Sequence, residues 1–329
     1  MNSLIYKALG VLEMGATPEP VENVVVRVEA TGICGTDLKT VYKGHRFFTP
    51  PCVLGHEFYG QISKAPEGYA FPVGSWVVVA PYFECGRCSW CLNGHGDLCN
   101  DKAYVSSGSF TEHVGIPDGY EKGIFALGHK VNAADYDVYA LTEPLACVIN
   151  GIQRLEAKPG YSKVLVVGGG PMGALFALYY GQMGIDVSIV EPSEVRSSIL
   201  SGWGIDVVKQ ADVKPGDYDS VVIAVNKASL VSDYLPLVRK GGCLLVFSGL
   251  PKGESLIIDA GAVHYSEISI KGCSGFGLEH FGKAFETIKA DEARYRKLIT
   301  HKLNLKDGQK AFELLKDAGA FKILLGSRF

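Results

Sequence analysis

The chain has 329 residues, 47% of them hydrophobic, with 32 basic against 35 acidic side chains and a formal charge of −3. That length suits two domains of ordinary size rather than one core, and two domains imply a cleft. So apolar a composition excludes extensive disorder, and the near-neutral balance excludes a global attraction to nucleic acid or anionic lipid, which leaves a small molecule as the expected partner.

The opening MNSLIYKALG lacks the charged-then-apolar pattern of a secretory signal, so a cytoplasmic protein is expected. Up to about residue 125, short β-like runs at 24–28, 52–54, 58–63, 76–80 and 110–114 alternate with turn residues. Residues 164–185 carry no charge and are long enough for a membrane span, but Gly168-Gly169-Gly170-Pro171 breaks the run. A strand, a glycine turn and an apolar helix are expected there instead. The rhythm then alternates: strand 164–167, helix to 183, strand 187–190, helix through 200, and strands 220–225, 244–247 and 268–271, with a helix ending near Gly241. Such alternation predicts an α/β fold with a doubly wound parallel sheet. Two amphipathic helices, Leu278–Ala290 and 306–318, precede an apolar run at 322–325 and read as chain returning to the first domain. The expected division is a β-rich catalytic domain of residues 1–150 and 281–329 and a dinucleotide-binding domain of residues 151–280.

Three constellations carry chemistry. Cys85, Cys88, Cys91 and Cys99 form a C-x2-C-x2-C-x7-C array. Four thiolates on one loop close a tetrahedral Zn2+ site with no open position, which points to a structural metal. An iron–sulfur cluster fits less well, given the x7 gap and the missing Cys-Pro. The second constellation is Gly32-Ile33-Cys34-Gly35-Thr36-Asp37, followed by Gly55-His56-Glu57 and, far downstream, Glu143-Pro144. A thiolate, an imidazole and carboxylates from separate segments suit an open zinc site, where the metal serves as a Lewis acid toward an alcohol oxygen. The third is Gly168-Gly169-Gly170-Pro171-Met172-Gly173, a G-x-G-x-x-G that follows a strand and opens a helix, so pyrophosphate can approach the helix N-terminus closely. Glu191 ends the next strand, where a carboxylate can accept both hydroxyls of an adenosine ribose and repel a 2′-phosphate, favouring NAD(H); Arg196 acts in the opposite sense. Val225, Gly249 and Ser274 complete the candidate cofactor contacts.

The order GICGTD, GHE, CxxCxxCx7C, EPL and GGGPMG resembles the zinc-containing medium-chain dehydrogenase family over nearly the whole chain. Within that family it is most similar to the sorbitol, threonine and polyol dehydrogenases, because Glu143-Pro144-Leu145 stands where other alcohol dehydrogenases carry a cysteine ligand. The resemblance implies a GroES-like β domain, a Rossmann domain, NAD(H) and two Zn2+ per subunit. It also implies that Cys34, His56 and Glu57 surround a catalytic zinc, with Glu143 as a direct or water-bridged fourth group and Thr36 as the first proton acceptor. Lys39 stands where many members carry histidine; a lysine there can still relay a proton or hold a ribose oxygen, but it is a point-charge donor and a poor acceptor when protonated. His45, Arg46 and Phe47 follow in a loop expected at the cleft or on the plain surface. The activity implied is hydride transfer between NAD(H) and a secondary alcohol of a polyol, sugar, cyclitol or amino alcohol. Transient oxidation giving net epimerisation or elimination, a zinc-free quinone reductase, and a non-catalytic NAD sensor are the alternatives. A homodimer or homotetramer joined along a sheet edge at 255–260 and 268–270 is also expected.

Overall fold

The strand Val24–Gly32 is buried at every residue but Arg27, as a central strand must be. It pairs antiparallel with Glu57–Lys64 on one side and with Lys322–Gly326 on the other, and His113–Ile116 adds to its N-terminal half. The sheet continues outward through Trp76–Val79 to Ile124–Ala126, and through Lys322–Gly326 to the parallel strand Ile299–Asn304. Val24, Val26, Val28, Phe58, Ile62, Val77 and Val114 fill its interior. The computed structural model describes residues 1–128, 133–155, 157–160, 162–251 and 253–329. Its contacts divide the chain into two units, Met1–Ala146 with Phe276–Phe329, and Cys147–Gly275.

The second unit is a six-stranded sheet, wholly parallel, in the order Asp206–Val208, Asp186–Val190, Lys163–Val167, Tyr218–Ile223, Val238–Val246, Ser269–Gly272. Numbered along this unit the order is 3-2-1-4-5-6, the doubly wound Rossmann arrangement, whose ligand crevice lies at the carboxyl ends of strands where the winding reverses. Gly168 ends strand 163–167 and Ala224 follows strand 218–223, so both border that reversal. The charge-free stretch at 164–185 is a strand, a turn and the helix Pro171–Gln182, whose proline at the first position needs no N–H partner. Among the described residues no helix is long and apolar enough to cross a membrane.

Several local expectations shift. The first unit opens with a hairpin, Asn2–Ala8 with Val11–Ala16, and contains the helix Gly35–Lys43, neither of which announces itself by periodicity. The strand expected at 110–114 lies at His113–Ile116, while Phe110 is fully buried in the core beside Phe312. The helix expected to end near Gly241 is only Ser229–Tyr234, because the next turn holds Pro236 and the chain joins the sheet at Val238. The helix expected over 306–318 is confined to Gly308–Leu314 after a 3₁₀ turn. Residues 255–259 form no strand; Asp259 caps the short helix Ala260–Ser266 by accepting the N–H groups of Gly261 and Ala262, and only Ser269–Gly272 forms the sheet edge.

The glycine turn has two kinds of glycine. A methyl on Gly173 would lie 1.9 Å from the Gly168 carbonyl oxygen, whereas one on Gly170 would meet nothing within 4 Å. Gly173→Ala is therefore expected to cost about 1–3 kcal/mol through forced displacement of the turn, while Gly170→Ala, with φ of −67°, should be neutral or slightly stabilising. Urea unfolding of both variants checks this; equal midpoints would contradict the tight packing at Gly173.

Candidate functional site

Cys34 and His56 come from segments that one buried carboxylate ties together. Asp37, 1% exposed, accepts the Cys34 N–H through Oδ2 at 2.9 Å and the Gly55 N–H through Oδ1 at 3.2 Å. The first bond belongs to a capping box that starts the helix Gly35–Lys43 with Cys34 as its N-cap. Asp37 Oδ1 also stands 3.6 Å from His56 Nδ1, an arrangement that orients the ring and leaves its other nitrogen for a metal. Gly55, with φ of 92°, supplies the left-handed turn before His56.

Ligand atoms of Cys34, His56 and Glu57 all lie within 4.8 Å of one another. Glu57 is fully buried, and both its oxygens accept from Lys322 Nζ, at 2.8 and 2.7 Å. Gly32 makes this pair possible: it is the cross-strand partner of both Glu57 and Leu324, and a methyl there would stand 2.2 Å from Glu57 Oε2. Glu143, in the first turn of the helix Thr142–Gln153, lies close enough for its charge to act on His56 and Lys322 but is not a member of the three-residue cluster. Burial pushes the His56 imidazole down, yet the charges of Asp37, Cys34 and Glu143 outweigh it and hold the ring well above its ordinary range. Burial pushes the Asp37 carboxyl up. A pocket this rich in negative charge, with sulfur, nitrogen and oxygen donors, fits a divalent cation of the zinc type. Thr36 donates its N–H to Cys34 Sγ at 3.5 Å and accepts from Thr40 Oγ1 through its carbonyl at 2.8 Å, which fixes its backbone beside the cluster. Lys39 sits one helical turn further along, half-buried.

Cys85, Cys88, Cys91 and Cys99 converge on one another. The sulfur separations are 3.9 Å for Cys85–Cys91, 3.4 Å for Cys88–Cys91, 3.8 Å for Cys88–Cys99 and 3.5 Å for Cys85–Cys99. A tetrahedron with Zn–S bonds of ~2.3 Å has edges of about 3.8 Å, so the four sulfurs fit that ion. Backbone N–H groups of Arg87 and Cys88 lower the Cys85 thiol to about 6, towards the thiolate a metal requires. The flanking residues reach the C-terminal segment: Tyr82 stacks on Phe276 at 4.5 Å and accepts its N–H at 3.3 Å, while Glu84 accepts the Leu278 N–H at 2.9 Å.

In the second unit, Gly168 has φ of 102° and lies against Val225, whose methyl would be 2.3 Å from any added Cβ. The open space in front of Gly170 at the start of the helix Pro171–Gln182 fits a pyrophosphate; Met172 and Gly173 form that helix's first turn. Glu191 is turned inward, its side chain 6% exposed, accepting the N–H of Gly169 at 2.8 Å and of Ser193 at 2.9 Å. Arg196 lies 3.8 Å from Glu191 Oε2 and offsets part of its charge. Gly249 follows strand 238–246 and Ser274 follows strand 269–272, both exposed at the carboxyl ends of their strands.

Sequence reasoning missed Lys322, Gly32, the tying role of Asp37, and the arms Tyr82 and Glu84. Only Asp37 left a readable signal, as the third residue of a helix capped by Cys34.

Residues 20–122 match the alcohol dehydrogenase GroES-like domain. The chain is 28% identical to the D-altritol 5-dehydrogenase of Agrobacterium fabrum, covering 90% of this chain and 89% of the relative. It is 28% identical to a sorbitol dehydrogenase of Halalkalibacterium halodurans, covering 94% and 93%. Among solved structures, a zinc-binding dehydrogenase of Sinorhizobium meliloti bound to NADP superposes with a TM-score of 0.86 at 25% identity, covering 98% of each chain. The 2R,3R-butanediol dehydrogenase of Bacillus subtilis shares the fold with a TM-score of 0.86 at 24% identity, covering 99% of each.

The buried Glu57–Lys322 pair generates a stability prediction. Lys322→Met leaves a buried carboxylate without its cation and is expected to cost about 3–5 kcal/mol, while Glu57→Gln combined with Lys322→Met should recover a large part of that loss. Urea unfolding of the single and double variants measures both; a single variant as stable as the parent would refute the account of the pair.

Proposed function

We propose that the chain is a member of the zinc-containing medium-chain alcohol dehydrogenase family and transfers hydride between NAD(H) and a secondary alcohol of a polyol, sugar, cyclitol or amino alcohol. The observation that carries this reading is the cluster of Cys34, His56 and Glu57 with Thr36 alongside, in a chain that also has a dinucleotide-type glycine turn. Zinc held by Cys34 and His56, with Glu57 or Glu143 at hand, would make an alcohol more acidic, and a nicotinamide would accept the hydride.

The protein's own groups do the rest. Thr36 Oγ receives the proton of the substrate hydroxyl, and the capped start of its helix keeps that oxygen in place. Asp37 holds the His56 ring in one orientation, and Lys322 restrains the Glu57 carboxylate. The turn from Gly168 to Gly173 receives the pyrophosphate and Glu191 the ribose, with Arg196, Val225, Gly249 and Ser274 as further contacts. Lys39 serves the substrate side rather than a proton relay. The four-cysteine zinc fixes the loop whose arms brace Phe276 and Leu278. The NAD(H) preference rests on Glu191, and the Arg196 guanidinium beside it makes that preference moderate. Relatives named for altritol, sorbitol, L-galactonate and threonine support a hydroxylated small substrate.

Two zinc ions per chain are expected by elemental analysis of the purified protein. Mild chelation should remove one together with activity while the fold survives, and Cys34→Ser should bind one. Cys88→Ser should also bind one but unfold at a lower temperature. A single ion in the fully reconstituted parent would refute the assignment.

Oxidation of a panel of alditols, cyclitols and threonine, followed through NADH absorbance, tests the reaction; no turnover across the panel would overturn it. Glu191→Ala should move the ratio of kcat/KM toward NADP+, since it removes both the ribose acceptor and the repulsion of a 2′-phosphate. An unchanged ratio would remove Glu191 from cofactor selection.

A further inference from the structure

Thr36, Lys39 and Lys43 follow one another at helical spacing along Gly35–Lys43, away from the face that buries Asp37, Thr40 and Val41. Side chains of an α-helix lean toward its N-terminus, the end of this helix at which Cys34 and Thr36 stand. Gly44, with φ of 75°, then turns the chain into the loop 45–48. That loop holds three rings tilted against one another. His45 lies against Phe47 and Phe48 with ring centroids 5.4 and 5.3 Å apart, and its Nδ1 accepts the Phe47 N–H at 3.4 Å. Phe48, partly buried, packs against the same core cluster as Leu38 and Tyr42 and anchors the loop there. The Arg46 guanidinium covers the Phe47 ring at 4.4 Å.

The charge of this loop is one-sided. After burial, the groups that hold His45 below its ordinary range are Lys39 and Arg46, and no carboxylate acts against them. Among the described residues neither Lys39 nor Arg46 has an acidic partner at salt-bridge distance, although Lys302 and Lys322 in the same unit are each matched to a buried carboxylate. Two cations gathered beside a titratable ring repel one another, and an anion placed among them relieves that repulsion. Lys39 is five residues beyond Cys34, about 7.5 Å along the helix axis at ~1.5 Å per residue. The carbon chain of a sugar acid or an alditol phosphate bridges that span.

We propose that Lys39 and Arg46, with His45, form an anion subsite, and that the preferred substrate is a polyol carrying a terminal carboxylate or phosphate. This rests on the dehydrogenase reading of the Cys34–His56 centre and adds to it the charge class of the substrate. A bidentate guanidinium and a mobile ammonium suit either anion, so the shared chemistry is a terminal oxyanion.

The test compares neutral alditols, the matching aldonates and the matching alditol phosphates as substrates with NAD+, at low and high salt, in the parent and in Arg46→Gln. Titration calorimetry of the same compounds against the enzyme without NAD+ gives a readout independent of turnover. One anionic class should be preferred over the neutral alditol by about tenfold or more, and the preference should shrink with salt. Arg46→Gln should lower the anionic-to-neutral ratio of kcat/KM by about tenfold and weaken calorimetric binding in step. Preference for the aldonate identifies a carboxylate subsite, and preference for the phosphate a phosphoryl subsite. Neutral alditols oxidised as well as both anionic classes, with the ratio unmoved in Arg46→Gln, overturns the subsite and leaves the dehydrogenase reading standing. Salt-sensitive binding of the anions, lost in Arg46→Gln but without oxidation of any compound, sinks the dehydrogenase reading and keeps the subsite. Neither binding nor oxidation overturns both.

Discussion

The ion pair between Glu57 and Lys322, crossing over Gly32, is the constraint on which the first unit depends. Three neighbouring strands meet there, one bearing the glycine two residues before Cys34, one opening with the glutamate after His56, and one from the C-terminal end of the chain. Burying two full charges is costly, and such a pair is a weak source of net stability compared with apolar residues of the same shape. Its effect here is on position. With both oxygens bound to one ammonium, the Glu57 carboxylate has a single orientation, and Lys322 Nζ also donates to the Ile33 carbonyl at 3.3 Å, directly behind Cys34. The C-terminal strand thereby fixes the segment that bears Cys34, nearly three hundred residues earlier in sequence.

A second device works at the other end of the same unit. The four-cysteine loop buries little apolar surface, and its tip exposes Trp90 and Leu92, so apolar packing contributes little to holding it. A metal held by the four convergent sulfurs would supply what the small core does not. Tyr82 and Glu84 join the loop to Phe276 and Leu278, where the chain re-enters the first unit and begins the helix Leu278–Ala290. In the second unit the glycine turn is held by the Gly169 N–H bond to Glu191 and by crowding, since Gly168 and Gly173 have side chain and backbone where a Cβ would be, while Gly170 is left facing open space.

Much of this was legible in the sequence because the relevant physics is local. The four cysteines, the glycine turn after a run of valines, and the alternating rhythm beyond residue 163 each report chemistry or packing within a few residues. The unread parts depend on partners far away in the chain. Lys322 opens an apolar run and looks like the flank of a strand; only the fold supplies Glu57. Gly32 reads as an ordinary glycine until two side chains cross above it. The helix expected near Gly241 stops early because Pro236 interrupts it and the following residues pair as the strand Val238–Val246 with Tyr218–Ile223. Residues 255–259 look strand-like in composition, yet Asp259 turns them into a helix start.

If the Cys34–His56 cluster is a metal centre that meets substrate, it is distinct in kind from the closed cysteine site. Replacing the labile metal with Co2+ and recording the visible spectrum tests this directly, because cobalt reports its ligands and any change in them. The account predicts a thiolate-to-cobalt charge-transfer band that is absent in Cys34→Ser, and d–d bands that shift when a polyol substrate is added. Bands that persist in Cys34→Ser, or that ignore every substrate, would contradict it.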